Sequence, residues 1–192
     1  MYQFIESMCW EKGSYQLLGL HQQRMDRTFH QFFQARAPRL SEILPKPDAT
    51  GKTKVRVVYS EKIQSIETIP YEIKRPDTLK LIHVKGMDYS FKFLNREALE
   101  SLKSHNQEVI IVNNGQVTDA SYANLAFFDG HSWFTPKTYL LNGVKRQHLI
   151  SQGILQEVDM KAKDILNFDK VSLVNAMLDL EDLVFALSEI EQ

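Results

Sequence analysis

Three short segments of the chain contain side chains that could do chemistry. The first is D-Y-S-F-K-F-L-N-R-E, residues 88–97, in which Lys92 stands between two phenylalanines. The second is G-Q-V-T-D-A-S-Y-A-N-L, residues 115–125, where the carboxylate of Asp119 precedes the amide of Asn124. In the third, L-L-N-G-V-K-R-Q-H-L, Gly143 leads into a helical pattern whose N-terminus would favour a phosphate. An amine, a carboxylate and a phosphate cradle are the three groups that pyridoxal phosphate requires.

Each segment also has a simpler interpretation. A lysine near a helix start usually packs its stem and keeps its amine in water, and an aspartate after a hairpin strand is commonly a turn residue. A glycine before a helix often serves backbone geometry alone. Arg24, on the polar side of an amphipathic helix, would by default be a solvated charge. The residues by themselves leave both interpretations open.

Composition excludes several other classes of function. The chain has 192 residues, of which 43% are hydrophobic and 24% charged. Its net charge is −1 and its basic residues are dispersed, so neither nucleic acid nor an anionic membrane is expected as a partner. The single cysteine, the lack of a basic leader and the lack of a long apolar run indicate a cytoplasmic protein. The histidines have no metal-type spacing, so no metal is expected. His131, in a hairpin turn, is expected at the surface.

Hydrophobic periodicity predicts mixed α/β or α+β architecture in two lobes, residues 1–84 and 93–192, joined by a connection at 85–92. The N-terminal lobe is expected to begin with a strand and turn in Y-Q-F-I-E-S-M-C-W-E-K-G-S. A helix follows from about Leu20, with Met25, Phe29, Phe32 and Phe33 on one face. After it we expect a short helix around Ser41–Leu44 and strands at 54–60, 65–73 and 79–84. The C-terminal lobe is expected to contain a helix at 95–105 with Asn95 as N-cap, hairpins at Asn114-Gly115 and Asp129-Gly130, a helix from Gly143 to near Gly153, a strand at 157–160, a short helix at 162–168 and a β-rich run at 170–178. No element is predicted for residues 179–192.

The order of these motifs resembles the class IV aminotransferase family, whose members are pyridoxal phosphate enzymes of fold type IV. The resemblance is carried by H-Q-Q-R, K-F-L-N-R, V-T-D-A-S-Y-A-N-L, T-P, N-G-V-K-R-Q and V-N-A-M, which run from His21 to Met177 in the family's order. It implies two α/β lobes like those of D-amino-acid aminotransferase, with the cofactor between them and a homodimeric assembly.

Carried over position by position, the resemblance implies a role for each motif. Lys92 would form the Schiff base with pyridoxal phosphate, and Asp119 stands where the family usually has a glutamate contacting the pyridine nitrogen. The remaining cofactor-binding residues implied in this way are Arg24, Asn124, Gly143, Val144, Lys145, Asn175 and Ala176. The resemblance does not assign the residue that binds the substrate carboxylates, although Arg56 is a candidate.

Within the family, the motifs are most similar to aminodeoxychorismate lyase, because K-x-L-N-R, V-T-D/E and G-V/I-x-R-Q occur together with N-A rather than G-T in the last loop. That similarity implies a lyase that forms 4-aminobenzoate and pyruvate from 4-amino-4-deoxychorismate in folate synthesis. The alternatives are an aminotransferase for branched-chain or D-amino acids, which the F-I-E segment (Phe4–Glu6) resembles equally, and a non-catalytic protein that keeps the fold.

Overall fold

The computed structural model describes residues 2–191, and contacts between backbone segments divide the chain into two compact units. The first unit comprises the chain up to Glu72 together with Phe91–Asn95. The second comprises Ile73–Ser90 and the chain from Arg96 onward. The first unit therefore contains the five residues around Lys92, and the second unit contains the chain on both sides of them.

The first unit is an antiparallel sheet accompanied by helices. Its elements are β1 (Phe4–Glu11), β2 (Ser14–Tyr15), α1 (Leu18–Phe33), α2 (Leu40–Ile43), β3 (Thr53–Tyr59) and β4 (Ile63–Pro70). The strand order is β2-β1-β3-β4, and each neighbouring pair is antiparallel. The turn between β1 and β2 is tight because Lys12 and Gly13 both have positive φ, and two such residues twist the backbone to match the flanking strands.

The core of the first unit lies between its sheet and helix α1. The helix contributes Met25 and Phe29, which pack on Phe4 and Tyr59 of the sheet. Burying aromatic side chains of this size contributes about 2 kcal/mol each relative to exposure. The predicted helical spacing is therefore confirmed, but its buried stripe also contains the polar residues His21, Arg24 and Thr28. Arg24 is only 5% exposed, so the interpretation of this residue as a solvated charge is wrong.

The second unit contains two sheets and the remaining helices. Its elements are β5 (Thr78–Val84), α3 (Glu97–Glu100), β6 (Gln107–Asn113), β7 (Gln116–Val117), β8 (Asn124–Phe128), β9 (Trp133–Pro136), α4 (Val144–Ser151), β10 (Leu155–Val158), a 3₁₀ helix (Ala162–Asn167), β11 (Lys170–Val174), β12 (Val184–Ala186), a second 3₁₀ helix (Leu187–Glu189) and β13 (Ile190–Glu191). One sheet has the order β13-β5-β6-β7 and the other β10-β9-β8-β11-β12. Both mix parallel and antiparallel pairs, so the mixed α+β class expected from the sequence is confirmed.

The structure places several elements differently from the sequence expectation. The helix expected at 95–105 spans only Glu97–Glu100, its N-cap is Arg96 rather than Asn95, and the chain turns at Asn106 with a left-handed φ of 56°. Strand β5 pairs in parallel with β6 over Thr78–Val84, which places it in the second unit rather than with residues 1–84. Strand β13, in the stretch without a predicted element, pairs with β5 through Ile190 and Leu79. Pairing between such distant segments leaves no local sequence pattern.

Candidate active site

The segment that carries Lys92 is fastened to strand β1 in the first unit. The carbonyl of Lys92 accepts a hydrogen bond from the Ile5 N–H at 2.9 Å, and the Leu94 N–H donates to Gln3 at 2.8 Å. Phe91 and Phe93 pack on the aromatic core, with ring centroids 4.8 Å and 5.9 Å from Phe32. The two phenylalanines anchor the segment to the first unit, and the Phe93 N–H donates to the Phe91 carbonyl at 2.9 Å, which makes a tight turn centred on Lys92. Lys92 itself is half-buried.

A buried charged cluster lies between β1 and α1 in the same unit. Glu6 accepts two hydrogen bonds from Arg24, from Nε at 2.7 Å and from Nη2 at 2.6 Å, and its Oε2 lies 2.6 Å from Nδ1 of His21. All three side chains are buried. A charge held away from water must be paired and hydrogen-bonded, and this bidentate geometry achieves both. Arg24, expected to pair with a phosphate, therefore has Glu6 as a partner within its own unit.

The cluster fixes the protonation states of its members. Burial tends to raise the pKa of Glu6, but Arg24 and then His21 outweigh it and hold that pKa at about 2. Burial lowers the pKa of His21, and although Glu6 opposes this, the charges of Arg24 and Lys92 add to the lowering. Neutral His21 therefore donates from Nδ1 to ionised Glu6, which leaves Nε2 as an acceptor. That buried Nε2 has no hydrogen-bond partner within residues 2–191.

Asp119 is buried in the second unit and accepts three hydrogen bonds. Its Oδ1 accepts from Nδ2 of Asn124 at 2.7 Å, and its Oδ2 accepts from the N–H groups of Leu140 and Leu141 at 2.8 Å each. Burial raises its pKa to about 6, and the donors of Leu141, Asn124 and Leu140 only partly offset that effect. The carboxylate thus ties the start of β8 to the segment that enters helix α4.

Gly143 is the N-cap of α4 and lies against Asn124. A Cβ atom placed on Gly143 would meet Oδ1 of Asn124 at 2.0 Å, so a larger residue does not fit here. The Nδ2 group of Asn124 also donates to the Leu141 carbonyl at 2.9 Å. Because glycine has no side chain to cap the helix, the first N–H groups of α4 remain donors for an anion, with the positive end of the helix dipole behind them.

Asn175 shapes the turn that follows strand β11. Its Oδ1 accepts from the N–H groups of Met177 and Leu178 at 2.8 Å and 3.0 Å, and its Nδ2 donates to the Tyr122 carbonyl at 3.3 Å. The side chain of Asn175 therefore holds the backbone around Ala176 in place. The ammonium of Lys145 forms an ion pair with Asp179, so a phosphate contact at this position would come from backbone rather than from the side chain.

The second unit thus brings together Asp119, Asn124 and Gly143, with Asn175 held to the adjacent Tyr122. The first unit brings Lys92 within electrostatic reach of His21. The roles implied by the family resemblance did not include Glu6 or His21. The signal for Glu6 was a charged residue inside the apolar run F-I-E-S-M-C-W, and that for His21 was its spacing from Arg24 along one face of α1.

Two further residues were predicted from the sequence. Arg56, the candidate for binding the substrate carboxylates, forms an ion pair at 3.5 Å with Glu67 on β4. His131 is exposed, as expected.

The sequence matches a known family model over residues 3–180, and that family is described as amino-transferase class IV. The chain belongs to the class IV aminotransferase family. The family resemblance read from the motifs is therefore confirmed. Since members of this family are pyridoxal phosphate enzymes, pyridoxal phosphate is also confirmed as the cofactor.

Individual relatives agree with this membership. An uncharacterised protein of Haemophilus influenzae is 32% identical over 185 residues, which is 92% of this chain and 98% of the relative. A Schizosaccharomyces pombe protein provisionally named aminodeoxychorismate lyase is 30% identical over 142 residues, 66% of this chain and 58% of the relative. A crystal structure from Haemophilus somnus 129PT, provisionally named 4-amino-4-deoxychorismate lyase, is 26% identical with a TM-score of 0.85, covering 94% of this chain and 98% of that one. The expected fold is thereby confirmed.

The residues present fit pyridoxal phosphate. Asp119 is a buried carboxylate that would suit a pyridinium, and the helix start at Gly143, in the same unit, has no side-chain cap, so that its N–H groups would suit a phosphate. Among residues 2–191, no group of three His, Cys, Asp or Glu side chains is arranged to hold a metal ion. No helix in this part of the chain is long and apolar enough to cross a membrane.

Proposed function

We propose that this chain is a pyridoxal phosphate-dependent lyase that converts 4-amino-4-deoxychorismate to 4-aminobenzoate and pyruvate. The observation that carries the proposal is the connection between Asp119, Asn124 and the start of helix α4. One buried carboxylate holds the segment Leu140–Leu141 through two backbone N–H groups, and that segment leads directly to the helix start at Gly143. The groups that we propose for the pyridinium and for the phosphate would therefore share one hydrogen-bonded frame.

Lyase rather than amino-transfer chemistry is supported by the relatives and by the last loop. Two of the relatives carry provisional lyase names, although the yeast protein extends well beyond the region that this chain covers. The loop contains Asn175 and Ala176, and the amide of Asn175 fixes its backbone. This N-A pair is one of the features in which the motifs resemble aminodeoxychorismate lyase.

Each residue then has a definite task. Lys92 would hold the cofactor covalently and, once displaced by the substrate amine, would take the proton from the amino-bearing ring carbon. Asp119 would hold the ring nitrogen, the backbone of Val144, Lys145 and Ala176 would bind the phosphate, and Asn124 would support Asp119. When bound, pyridoxal phosphate supplies the electron sink for this chemistry. The main task of the chain is to position these groups before the reaction begins.

The bond changes balance without a further reactant. The amino-bearing ring carbon loses a proton, and the bond between the neighbouring ring carbon and the enolpyruvyl oxygen breaks. The ring becomes aromatic, which makes the departure favourable, and it leaves as 4-aminobenzoate. The released enolpyruvate gains a proton at its methylene carbon and becomes pyruvate.

A product assay tests the proposal. The purified protein is loaded with pyridoxal phosphate and incubated with 4-amino-4-deoxychorismate, and 4-aminobenzoate and pyruvate are measured separately. We expect equal amounts of both from the wild type and neither above background from Lys92→Ala. Absence of both products from a wild type that binds the cofactor would contradict the lyase assignment.

The second candidate is an aminotransferase on the same scaffold, and the family description together with the F-I-E segment favours it. It predicts that an amino acid added without a keto acid converts the bound cofactor fully to pyridoxamine phosphate, which absorbance spectra detect. A non-catalytic protein would bind the cofactor without turning over either substrate.

The remaining expectations belong to the same proposal. We infer that the enzyme acts in folate synthesis, in the cytoplasm and as a homodimer. The family resemblance supports the homodimer, and light scattering of the purified protein tests it.

A further inference from the structure

Strand β6 of the second unit contains a buried carboxylate among apolar side chains. Glu108 is only 1% exposed, and the four residues that follow it in the strand are buried and apolar. A charge held away from water is costly unless it is paired and hydrogen-bonded, and an apolar side chain would fill the same space at lower cost. The presence of Glu108 at this position therefore calls for a functional explanation.

Both oxygens of Glu108 accept hydrogen bonds from one residue, Ser121, which is itself 2% exposed. Oε1 accepts from the Ser121 N–H at 2.6 Å and from the Val109 N–H at 3.1 Å, and Oε2 accepts from the Ser121 hydroxyl at 2.9 Å. The ammonium of Lys103 lies 3.6 Å from Oε2 and donates to the Ser121 hydroxyl at 3.2 Å. The carboxylate is thus compensated chiefly by its contacts with Ser121 and Lys103.

Arg96 binds the remaining polar group of Ser121. Its Nη2 donates to the Ser121 carbonyl at 2.6 Å. The N–H, the hydroxyl and the carbonyl of Ser121 are therefore all bound by side chains from other segments, by Glu108 on β6 and by Arg96 at the N-cap of α3. A residue held at three points has little freedom to move, so Ser121 is a fixed point of the backbone.

Ser121 lies in the loop of residues 120–123, which joins Asp119 to Asn124. The two ends of the loop form an isolated antiparallel bridge, and a backbone hydrogen bond of 2.8 Å closes the loop from within. Neither central residue, Ser121 or Tyr122, has the positive φ of the turns that best fit a short connection between antiparallel strands. The contacts to Ser121 therefore supply a restraint that the turn itself lacks.

We propose that Glu108 is a positioning residue that holds the 120–123 loop, so that Asp119 and Asn124 keep the geometry needed to bind the ring nitrogen of the cofactor. The inference rests on the proposed function, because it requires Asp119 to contact that nitrogen. The path runs from Glu108 through Ser121 and the loop to Asn124, whose Nδ2 donates to Oδ1 of Asp119 at 2.7 Å. All of these side chains lie in the second unit and are buried.

The competing explanation is that Glu108 only stabilises the fold. The deaza analogue of pyridoxal phosphate, in which carbon replaces the ring nitrogen, separates the two explanations. Both ligands carry the aldehyde and the phosphate, so the ratio of the analogue Kd to the pyridoxal phosphate Kd reports the contribution of the ring nitrogen. A residue that only stabilises the fold affects both ligands alike, whereas a residue that positions Asp119 changes the ratio.

We expect Glu108→Gln to lower this ratio about tenfold, the lower end of what loss of an outer partner costs at other sites. The amide presents a donor where Ser121 and Lys103 also donate, so the contacts to the loop are broken. Asp119→Asn should lower the ratio at least as far, and Glu108→Gln should add nothing in the Asp119→Asn background. Glu181→Gln is the matched control, because it removes an exposed carboxylate 2.7 Å from Lys170 in the same unit, and it should leave the ratio unchanged.

A second variant covers the case in which Glu108→Gln does not fold. Ser121→Ala removes the hydroxyl and leaves the backbone N–H bond to Glu108, so it should lower the ratio less and in the same direction. An unchanged ratio in the folded variants, whatever their stability, would overturn the inference alone. If Asp119→Asn also leaves the ratio unchanged, or if the wild type binds neither ligand, the proposed function fails and the inference fails with it.

Discussion

At the scale of single residues, Asp119 is a buried carboxylate in the second unit, far from the environment of a solvated side chain. It is a carboxylate held by three donors, yet burial dominates and raises its pKa to about 6. A cationic ring nitrogen would supply the charge partner that this buried carboxylate needs to remain ionised. The raised pKa of Asp119 therefore links the stability of the cofactor-free chain to pH.

The cofactor-free protein should lose stability as pH rises through the titration of Asp119. Between about pH 4 and pH 6 the folded chain keeps a proton that the unfolded chain has released, so the free energy of unfolding falls across this window and levels off above it. The expected contribution is roughly 3 kcal/mol, at about 1.4 kcal/mol per pKa unit. Urea denaturation of the wild type and Asp119→Asn at several pH values measures it.

The difference between the two proteins isolates this group. The amide introduced by Asp119→Asn does not titrate, and Glu6, which has a depressed pKa of about 2 and adds stability that is lost only at lower pH, is present in both. The stability of the wild type relative to Asp119→Asn should therefore fall between pH 4 and pH 6. A difference that stays constant with pH would show that Asp119 titrates at its ordinary value.

At the scale of elements, the start of helix α4 depends on the close contact between Gly143 and Asn124. We expect Gly143→Ala to destabilise the protein by about 2–3 kcal/mol, because the added Cβ would overlap Oδ1 of Asn124 and break its bonds to Asp119 and Leu141. The affinity for pyridoxal phosphate should fall with it. Chemical denaturation and cofactor titration measure the two effects.

Gly19 provides the matched control for this substitution. It lies in helix α1, and a Cβ there would meet nothing within 4 Å. Gly19→Ala should leave stability unchanged or raise it by up to about 1 kcal/mol, since alanine favours the helix. If Gly143→Ala is as well tolerated as Gly19→Ala, the contact at the helix start does not constrain the site.

Elements governed by local chemistry were predictable from sequence. The Asn114-Gly115 hairpin forms as expected, since both residues have positive φ and the flanking Asn113 and Gln116 pair. Helix α4 begins directly after Gly143 as expected. The helix expected at 95–105 was too long, because the turn that leads into β6 ends it after Glu100.

At the scale of the whole molecule, contacts between distant residues escaped sequence analysis. The motifs predicted the family and its cofactor, but no local pattern shows that Glu6 meets Arg24 across 18 positions of sequence. The same holds for Asp119 and the N–H groups of Leu140 and Leu141, which the fold of the second unit brings together. The pairing of β13 with β5 is a further example at the level of strands.

The functional account of the molecule depends on one covalent attachment, that of pyridoxal phosphate to Lys92. Reduction of the loaded protein with borohydride makes such an attachment permanent, and peptide mass spectrometry then identifies the modified lysine. We predict a single phosphopyridoxyl group on Lys92 and no such group in Lys92→Ala. Modification of another lysine such as Lys145, or of no lysine in protein that binds the cofactor, would contradict the account.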